Sequence, residues 1–247
     1  MRILKNMSFF LSTIAILIVM TVPVLAASGA TTLVTWGEDG GKTKNGDSYL
    51  ASAPSVSANG QYVVFSSTAT NIVANDTNGK KDVFVRDLTN NTNTRVSVAT
   101  DGTQANNNSD SPSISADGRY VVFTSDASNL VNGDTNGFSD IFIRDLQAGT
   151  TTRVSVSVSG GQPNNYSTNP SISANGRFVS FRSGASNLVD GDTKGKDDIF
   201  VRDLYKNTNT RVSVASDGSE QNNGAWSSVL SANGRFVAFI SSADNLV

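Results

Sequence analysis

The sequence predicts an all-β protein made of β-propeller blades, each built from four antiparallel strands. Two observations support this: an internal repeat, and short apolar segments separated by Gly, Asn and Asp turn signals without a helical period. A Ser-Ala-Asn/Asp-Gly turn recurs every 58 residues, beginning at Ser57, Ser115, Ser173 and Ser231. An Asp-Val/Ile-Phe-Val/Ile-Arg-Asp-Leu motif begins at Asp82, Asp140 and Asp198. We therefore expect three full repeats and a partial fourth, forming an incomplete propeller.

The second repeat illustrates how the four strands are predicted. They are placed at 112–115, 120–125, 140–146 and 152–156. The turn before the second strand contains Gly118, which tolerates a positive φ. The second strand starts with Tyr-Val-Val-Phe, an apolar run without alternation that indicates burial on both faces. Stacked blades provide that environment better than a sandwich does.

The residues that carry the repeat resemble a known family. The segment Pro-Ser-Ile-Ser-Ala-Asp-Gly-Arg-Tyr-Val-Val-Phe at 112–123, followed by Asp-Ile-Phe-Ile-Arg-Asp-Leu at 140–146, resembles the blade of TolB-type, WD40-like (PD40) propellers. The resemblance covers residues 54–247 and implies a propeller that binds through its rim. The repeat exceeds the about 40 to 45 residues usual for such blades. Its surplus lies in two loops, at 129–139 and 157–169 in the second repeat.

The chain is predicted to divide into a signal peptide, a short N-terminal segment and the repeats. Arg2 and Lys5 precede an apolar run that ends in small residues, which is typical of a signal peptide over 1–26, with an uncleaved membrane anchor as the alternative. We therefore expect a secreted, periplasmic or cell-surface protein. Residues 27–53 include a candidate outer strand at 31–36. The repeats are assigned to 54–111, 112–169, 170–227 and, in part, 228–247.

The composition excludes several classes of chemistry. The chain has no His and no Cys, so it has no Ser-His-Asp or Cys-His nucleophile, no disulfide and no ordinary zinc, haem or iron–sulfur site. Its 19 Lys and Arg residues nearly balance 21 Asp and Glu residues, which leaves a formal charge of −2. That charge offers no basic surface for nucleic acid. We expect no catalytic residue, no cofactor apart from the calcium considered below, no nucleic-acid partner and no membrane insertion after signal cleavage.

One long loop of each repeat is rich in amide side chains. These could bind a peptide or a sugar, but Asn also stabilises loop backbone through Asx turns, and the sequence leaves both interpretations open. The residues are Gln104, Asn107, Asn108, Gln162, Asn164, Asn165, Glu220, Asn222 and Asn223.

The other long loop predicts a weak calcium site. Asp134, Asn136 and Asp140 place oxygen ligands around Gly137, in a pattern similar to the calcium loops of integrin-type propellers. The third copy departs from that pattern because Lys194 replaces a ligand. The alternative is a turn in which Asp140 binds backbone amides.

Arg-Asp pairs recur on the predicted third strand of each repeat. The two side chains of a pair point to opposite faces of the sheet, so each pair is predicted to be structural, with the Arg bonded to an acid on another strand. The same structural role is predicted for Arg95, Arg153 and Arg211 on the fourth strands. The pairs are Arg86-Asp87, Arg144-Asp145 and Arg202-Asp203.

These observations predict an exported, non-catalytic propeller that acts as a binding or protein-interaction scaffold through its loop-rich rim. Its partner, a protein or a glycan, is not specified by the sequence. A calcium-stabilised cell-surface or adhesion module is the alternative. A propeller glycosidase, which needs a pair of channel carboxylates, is disfavoured because residues 27–247 contain only two Glu, Glu38 and Glu220.

Overall fold

A computed structural model describes residues 34–35, 45–49 and 55–247 of the 247-residue chain. The predicted signal peptide at 1–26 and most of the segment at 27–53 lie outside the described residues. Within the described ranges the regular structure is all strand, and no helix is long and apolar enough to cross a membrane.

The described strands form three four-stranded antiparallel sheets and one two-stranded sheet, which we call blades 1 to 3 and the partial blade. Blade 1 contains β1 (Ser48–Tyr49), β2 (Tyr62–Ser67), β3 (Asp82–Asp87) and β4 (Thr92–Arg95). Blade 2 contains β5 (Ser109–Ile114), β6 (Tyr120–Ser125), β7 (Asp140–Asp145) and β8 (Thr150–Arg153). Blade 3 contains β9 (Ser167–Ile172), β10 (Phe178–Ser183), β11 (Asp198–Asp203) and β12 (Thr208–Arg211). The partial blade contains β13 (Ala225–Leu230) and β14 (Val237–Ser241).

The prediction of four-stranded propeller blades is confirmed, although strand boundaries in the second repeat differ by one to three residues, most at the start of β5 and the end of β8. Strand β5 begins at Ser109 and not at residue 112, because the Ser109 hydroxyl is buried against that of Ser125, 2.9 Å away. A polar Ser-Asp-Ser segment carries no apolar signal from which this start could be predicted. Strand β8 ends at Arg153, and the next residue, Val154, bends so that its N–H donates to the Ile141 carbonyl at 2.7 Å.

Successive blades stack side by side around an inner edge formed by the first strands. Strand β5 contacts β9, and β9 contacts β13, so the first strands converge while the fourth strands lie on the outside. The repeated turn ties the blades together, because the Ala58 N–H donates to the Ala116 carbonyl at 2.9 Å and the Ala116 N–H donates to the Ala174 carbonyl at 3.0 Å. The repeat in the sequence is therefore also the repeat of the contacts between blades.

The hydrophobic core lies between the blades. Val121 of β6 packs with residues of blade 1, and its neighbour Val122 packs with residues of blade 3. Both valines are fully buried, which confirms the prediction that this strand is covered on both faces. Each complete blade also stacks a Phe of its second strand on a Phe of its third, with ring centroids 5.7 to 6.0 Å apart.

Val34, from the N-terminal segment, packs on blade 1. Val34 is 2% exposed and packs with Val63 and Phe65 of blade 1. Val96, from the outer end of blade 1, packs with Val121 and Phe123 of blade 2 in the same way. Val34 thus occupies the place of an outer residue from a preceding blade. The rest of the predicted strand at 31–36 lies outside the described residues.

Candidate functional site

The long loops of each repeat lie on one rim and bind each other. The Thr77 N–H donates to Gln104 Oε1 at 3.2 Å, and the Thr135 N–H donates to Gln162 Oε1 at 2.9 Å. In the third copy the Thr193 N–H donates to Glu220 Oε1 at 2.8 Å. The loop between the second and third strands is therefore held by the loop that leads to the next blade.

The Asn side chains of this rim bind backbone in the same manner. Each accepts a hydrogen bond of 2.9 to 3.2 Å from a main-chain N–H, three of them from the following residue and three from a loop 22 to 27 residues away, so these amides bind loop backbone without forming the Asx turns considered above. The accepting residues are Asn107, Asn108, Asn164, Asn165, Asn222 and Asn223.

The predicted calcium ligands of blade 2 come together, but an arginine lies among them. Arg153 Nη2 is 3.0 Å from Asp134 Oδ1, and Arg153 Nε is 3.4 Å from Asp140 Oδ2. Asn136 donates its amide to Asp140 Oδ2 at 3.0 Å, and the Ser155 hydroxyl donates to Asp140 Oδ1 at 2.6 Å. The Arg153 guanidinium thus contacts both of the carboxylates that a calcium ion would need as ligands.

The other two complete blades contain the same buried cluster. Arg95 lies 3.2 Å from Asp76 and 3.7 Å from Asp82, and Arg211 lies 3.2 Å from Asp192. The recurrence of one Arg on the fourth strand, one Asp on the loop after the second strand and one Asp at the start of the third strand is visible in the sequence. Their contact is not, because they lie on different elements of the blade.

The clusters of blades 1 and 2 hold two carboxylates for one guanidinium, and that of blade 3 holds three, because Arg211 also contacts Glu220 at 2.6 Å. Burial changes the pKa values of their aspartates. Burial raises the pKa of Asp140 and of Asp192 to about 6, because the charge of the nearby arginine offsets only part of the lost hydration. Burial also raises the pKa of Asp76 and Asp134. Each of these carboxyl groups therefore binds a proton more tightly than an exposed aspartate does.

Calcium binding to this loop stays a prediction, and the residues present do not favour it. A calcium ion would have to displace the Arg153 side chain, which is 8% exposed, from Asp134 and Asp140. Within the described ranges no group of three or more carboxylates is arranged to hold a metal ion.

We expect millimolar calcium to leave the melting temperature of the protein almost unchanged. A ligand raises the melting temperature only when it binds the folded state at the concentration used. Differential scanning calorimetry with calcium, with magnesium and with a chelator tests this. A rise of several degrees that is specific to calcium and is lost in Asp134→Ala would contradict it.

We also expect the protein to be most stable near pH 4. Asp140 and Asp192, with pKa values near 6, bind protons more tightly in the folded state, so the free energy of unfolding rises as pH falls from 7 to 4. Asp145 and Asp203, with pKa values lowered to about 2 by Arg119 and Arg177, cause the opposite change below pH 4. The gain between pH 7 and pH 4.5 is on the order of 3 kcal/mol.

Urea denaturation at several pH values measures this profile, and Asp140→Asn is the test variant. The variant should show a smaller gain between pH 7 and pH 4.5. A wild-type protein that is equally stable, or more stable, at pH 7 would show that the buried carboxylates do not behave as described.

The Arg-Asp pairs on the third strands are structural, but their partners differ from those predicted. Arg86 Nη1 donates to the carbonyl of Asn91, in the adjoining hairpin turn, at 2.9 Å. Asp145 accepts from the Gln147 N–H at 2.9 Å and from Arg119, which precedes β6. Arg86 and Arg202 thus bind the backbone of their hairpin turns, whereas Arg144 binds the Ala99 carbonyl and the Thr151 hydroxyl. The Asp stabilises the turn and binds a side chain that precedes the second strand.

Side chains that break the repeat gather at the inner strands, on the rim that carries the long loops. We call them the inner cluster. Three sets of equivalent positions, each spaced by 58 residues, hold side chains of different chemical type in successive repeats. The sets are Ser66, Thr124 and Arg182; Lys81, Ser139 and Asp197; and Asp110, Thr168 and Trp226. Equivalent positions also differ elsewhere in the repeat, but here the differing side chains form ion pairs with one another, which marks this place as a candidate functional site.

Between blades 1 and 2, the inner cluster combines a charge pair with an aromatic ring. Lys81 Nζ lies 2.8 Å from Asp110 Oδ2 and 4.8 Å from the ring centroid of Tyr49. The Ser66 hydroxyl donates to Asp110 Oδ1 at 2.7 Å. Tyr49 is 46% exposed, so its ring faces solvent beside a fixed ion pair.

Between blade 3 and the partial blade, the inner cluster has a different arrangement. Arg182 binds Asp197, and the Tyr166 hydroxyl donates to the same carboxylate. The Arg182 guanidinium lies 5.6 Å from the centroid of the Tyr166 ring. Trp226, 39% exposed, lies beside Gly224, which also neighbours Asp197. Sequence analysis missed this cluster, although the breaks in the repeat were a usable signal.

These features define a repeat protein built of four-stranded β-propeller blades. No protein-family model matches the sequence, and a search of curated proteins finds no match. Solved structures similar to this chain include TolB from Acinetobacter baumannii, at 18% identity and a TM-score of 0.49, covering 81% of this chain and 39% of that one.

Two further solved structures show the same kind of likeness. A TolB structure from Agrobacterium tumefaciens has 16% identity and a TM-score of 0.45, covering 81% of this chain and 60% of that one. The β-propeller domain of the trilobed protease from Pyrococcus furiosus has 17% identity and a TM-score of 0.39, covering 66% of this chain and 41% of that one. The chain spans less than two thirds of either TolB chain, and these likenesses concern the fold alone.

Proposed function

We propose that this chain is an exported, non-catalytic β-propeller that binds a protein segment or a glycan at its inner cluster. The observation that carries the proposal is the contrast between two sets of polar residues. The recurring polar residues of the long loops bind the loops themselves, whereas two ion pairs that break the repeat, Lys81–Asp110 and Arg182–Asp197, lie beside aromatic rings. Export is supported by the signal-peptide features at 1–26.

The chemistry of the inner cluster suits a partner with both flat apolar and polar surfaces. Tyr49 and Trp226 offer exposed rings that can stack on a sugar face or an apolar side chain. Lys81 and Arg182 are held by Asp110 and Asp197, so their remaining N–H groups are oriented without a partner having to order them. Fixed donors beside exposed rings are typical of recognition sites.

The absence of catalysis is supported by how the carboxylates are used. Asp145 and Asp203 accept hydrogen bonds from Arg119 and Arg177, and their pKa values are lowered to about 2. A general acid needs a pKa near the working pH, which these groups do not have. The carboxylate with a pKa near 6 in blade 2, Asp140, is fully buried and bonded to Ser155.

Binding to glycan and peptide arrays tests the proposed site. Trp226→Ala and Tyr49→Ala should each reduce binding of any ligand that the wild-type protein retains by at least tenfold. Tyr205→Ala is the matched control, because Tyr205 is 82% exposed on the outer hairpin of blade 3. If Tyr205→Ala weakened binding as much as Trp226→Ala and Tyr49→Ala do, or if none of the three variants changed the affinity, the binding site would lie outside the inner cluster.

A panel of glycosidase, esterase and peptidase substrates tests the non-catalytic part of the proposal. We expect no turnover by the purified chain. Activity that co-purifies with the protein and is abolished by a single Asp→Asn substitution would overturn this part, while leaving the binding results to be judged separately.

A further inference from the structure

A groove lies between the outer strands of blade 2 and the hairpin turn that joins β11 to β12 in blade 3. We call it the outer groove. Its volume is about 360 Å³, near the lower end of the about 300 to 1,000 Å³ that small-molecule sites occupy. Blades 2 and 3 are both complete four-stranded sheets, and every residue that lines the outer groove belongs to one of them.

Part of the lining of the outer groove is apolar. Ile143 of β7 is buried in the core between blades 2 and 3, and Tyr120 and Leu204 pack on the same core while remaining partly exposed. Thr150 and Thr152 of β8 also line the outer groove, and both are exposed. A ligand with an apolar body and a polar end therefore finds a matching surface here.

Two of the charged side chains in the outer groove are already bound by opposite charges. Asp145 Oδ2 lies 2.6 Å from Arg119 Nη2. Arg153 contacts Asp134 and Asp140, as described above. A charged ligand would have to compete with these ion pairs at Asp145 or Arg153.

Arg202, the remaining charged residue of the outer groove, bonds to neutral acceptors. Its Nη1 donates to the Asn207 carbonyl at 2.9 Å, and its Nη2 donates to Asn207 Oδ1 at 3.3 Å. Among the residues that the structure describes, no carboxylate forms an ion pair with Arg202, and the adjacent Asp203 pairs with Arg177 at 2.7 Å. Burial lowers the pKa of Arg202, but a guanidinium stays protonated in proteins. The outer groove thus contains a partly buried cation without an anionic partner.

The equivalent arginine of blade 2 has a different environment. Arg144 Nη1 donates to the carbonyl of Ala99, in the connection between blades 1 and 2, at 3.2 Å. The Thr100 hydroxyl of the same connection accepts a backbone N–H of β8 at 3.0 Å. At the position of Thr100, the next repeat has Val158, which has no hydroxyl and is 59% exposed. Arg202 bonds within its own blade instead, so the preceding connection does not occupy it.

We infer that the outer groove binds a small carboxylic acid with an apolar body, whose carboxylate pairs with Arg202 and whose body contacts Ile143 and Leu204. A planar guanidinium matches a carboxylate in geometry as well as in charge. The size of the outer groove favours a small acid over a polypeptide, because protein interfaces need a much larger surface. The inference is independent of what the inner cluster binds.

Titration of the purified chain with phenylacetate, followed by amide-resolved NMR spectroscopy, tests the inference. We expect the backbone signals of Thr150, Thr152 and Asn207 to shift and to saturate at millimolar phenylacetate. Phenylacetamide, which has a similar shape without the charge, should bind at least about tenfold more weakly. Equal affinity for the amide, or no saturable shift of these signals, would overturn the inference.

Arg202→Gln removes the cation and should weaken the binding of phenylacetate at least about tenfold. Arg86→Gln is the matched control, because Arg86 donates to the Asn91 carbonyl of its own hairpin turn at 2.9 Å, as Arg202 does to that of Asn207, but lies outside the outer groove. Equal affinities for the wild-type protein and Arg202→Gln, or equal losses in the two variants, would overturn the inference. So would a Phe-terminated tetrapeptide that shifts the same signals while phenylacetate does not, because the occupant would then be a polypeptide.

Discussion

Replacing Arg153 by methionine is expected to lower the free energy of unfolding by about 3 to 5 kcal/mol. The Arg153 side chain is 8% exposed and contacts both Asp134 and Asp140. Methionine preserves much of the packing volume but leaves two buried carboxylates without their cation. Since protonation removes the uncompensated charge, the loss should be larger at pH 7.5 than at pH 5, where Asp140 with its pKa near 6 is largely neutral.

Urea denaturation at these two pH values measures the effect. Arg119→Met is the matched control, because Arg119 also pairs with an aspartate but its side chain is 40% exposed, so its removal should have a much smaller effect. Adding Asp134→Asn to Arg153→Met should restore part of the stability. Equal losses for Arg153→Met and Arg119→Met would mean that the buried cluster does not support the blade.

Replacing Gly176 by alanine should destabilise the protein by about 2 to 4 kcal/mol. Gly176 has a φ of +73°, which a residue with a Cβ adopts only with strain. An alanine Cβ would also lie 2.4 Å from the ring of Tyr120 in the preceding blade. The substitution therefore combines local backbone strain with separation of blades 2 and 3.

Gly191→Ala separates the two causes. Gly191 has a φ of +75° but nothing within 4 Å of an added Cβ, so its substitution should cost only about 1 kcal/mol from strain. Thermal or urea unfolding of the two variants gives the comparison. Combining Gly176→Ala with Tyr120→Leu should cost less than the sum of the single changes, because the clash is relieved. Additive losses would show that Tyr120 and Gly176 do not form this contact.

The candidate site was harder to predict than the fold, for reasons that particular residues make clear. The amides around Gln162 and Asn165 gave two interpretations, because a sequence does not reveal whether an amide faces a ligand or its own loop. The loop at Asp134 resembled a calcium site because its neighbours in the chain are oxygen ligands. The cation that contacts these ligands, Arg153, comes from a different strand.

By itself, the sequence determined the blade: its 58-residue spacing, its four strands, its turns and the burial of β6 on both faces. These properties follow from local turn chemistry and from the period of apolar residues, and both are written in consecutive positions. Only the tertiary structure decided that Arg153 lies against two aspartates and that the Tyr49 and Trp226 rings lie beside ion pairs. The sequence does not show these outcomes, because they depend on how neighbouring strands and blades pack, and packing brings together residues that are far apart in the chain.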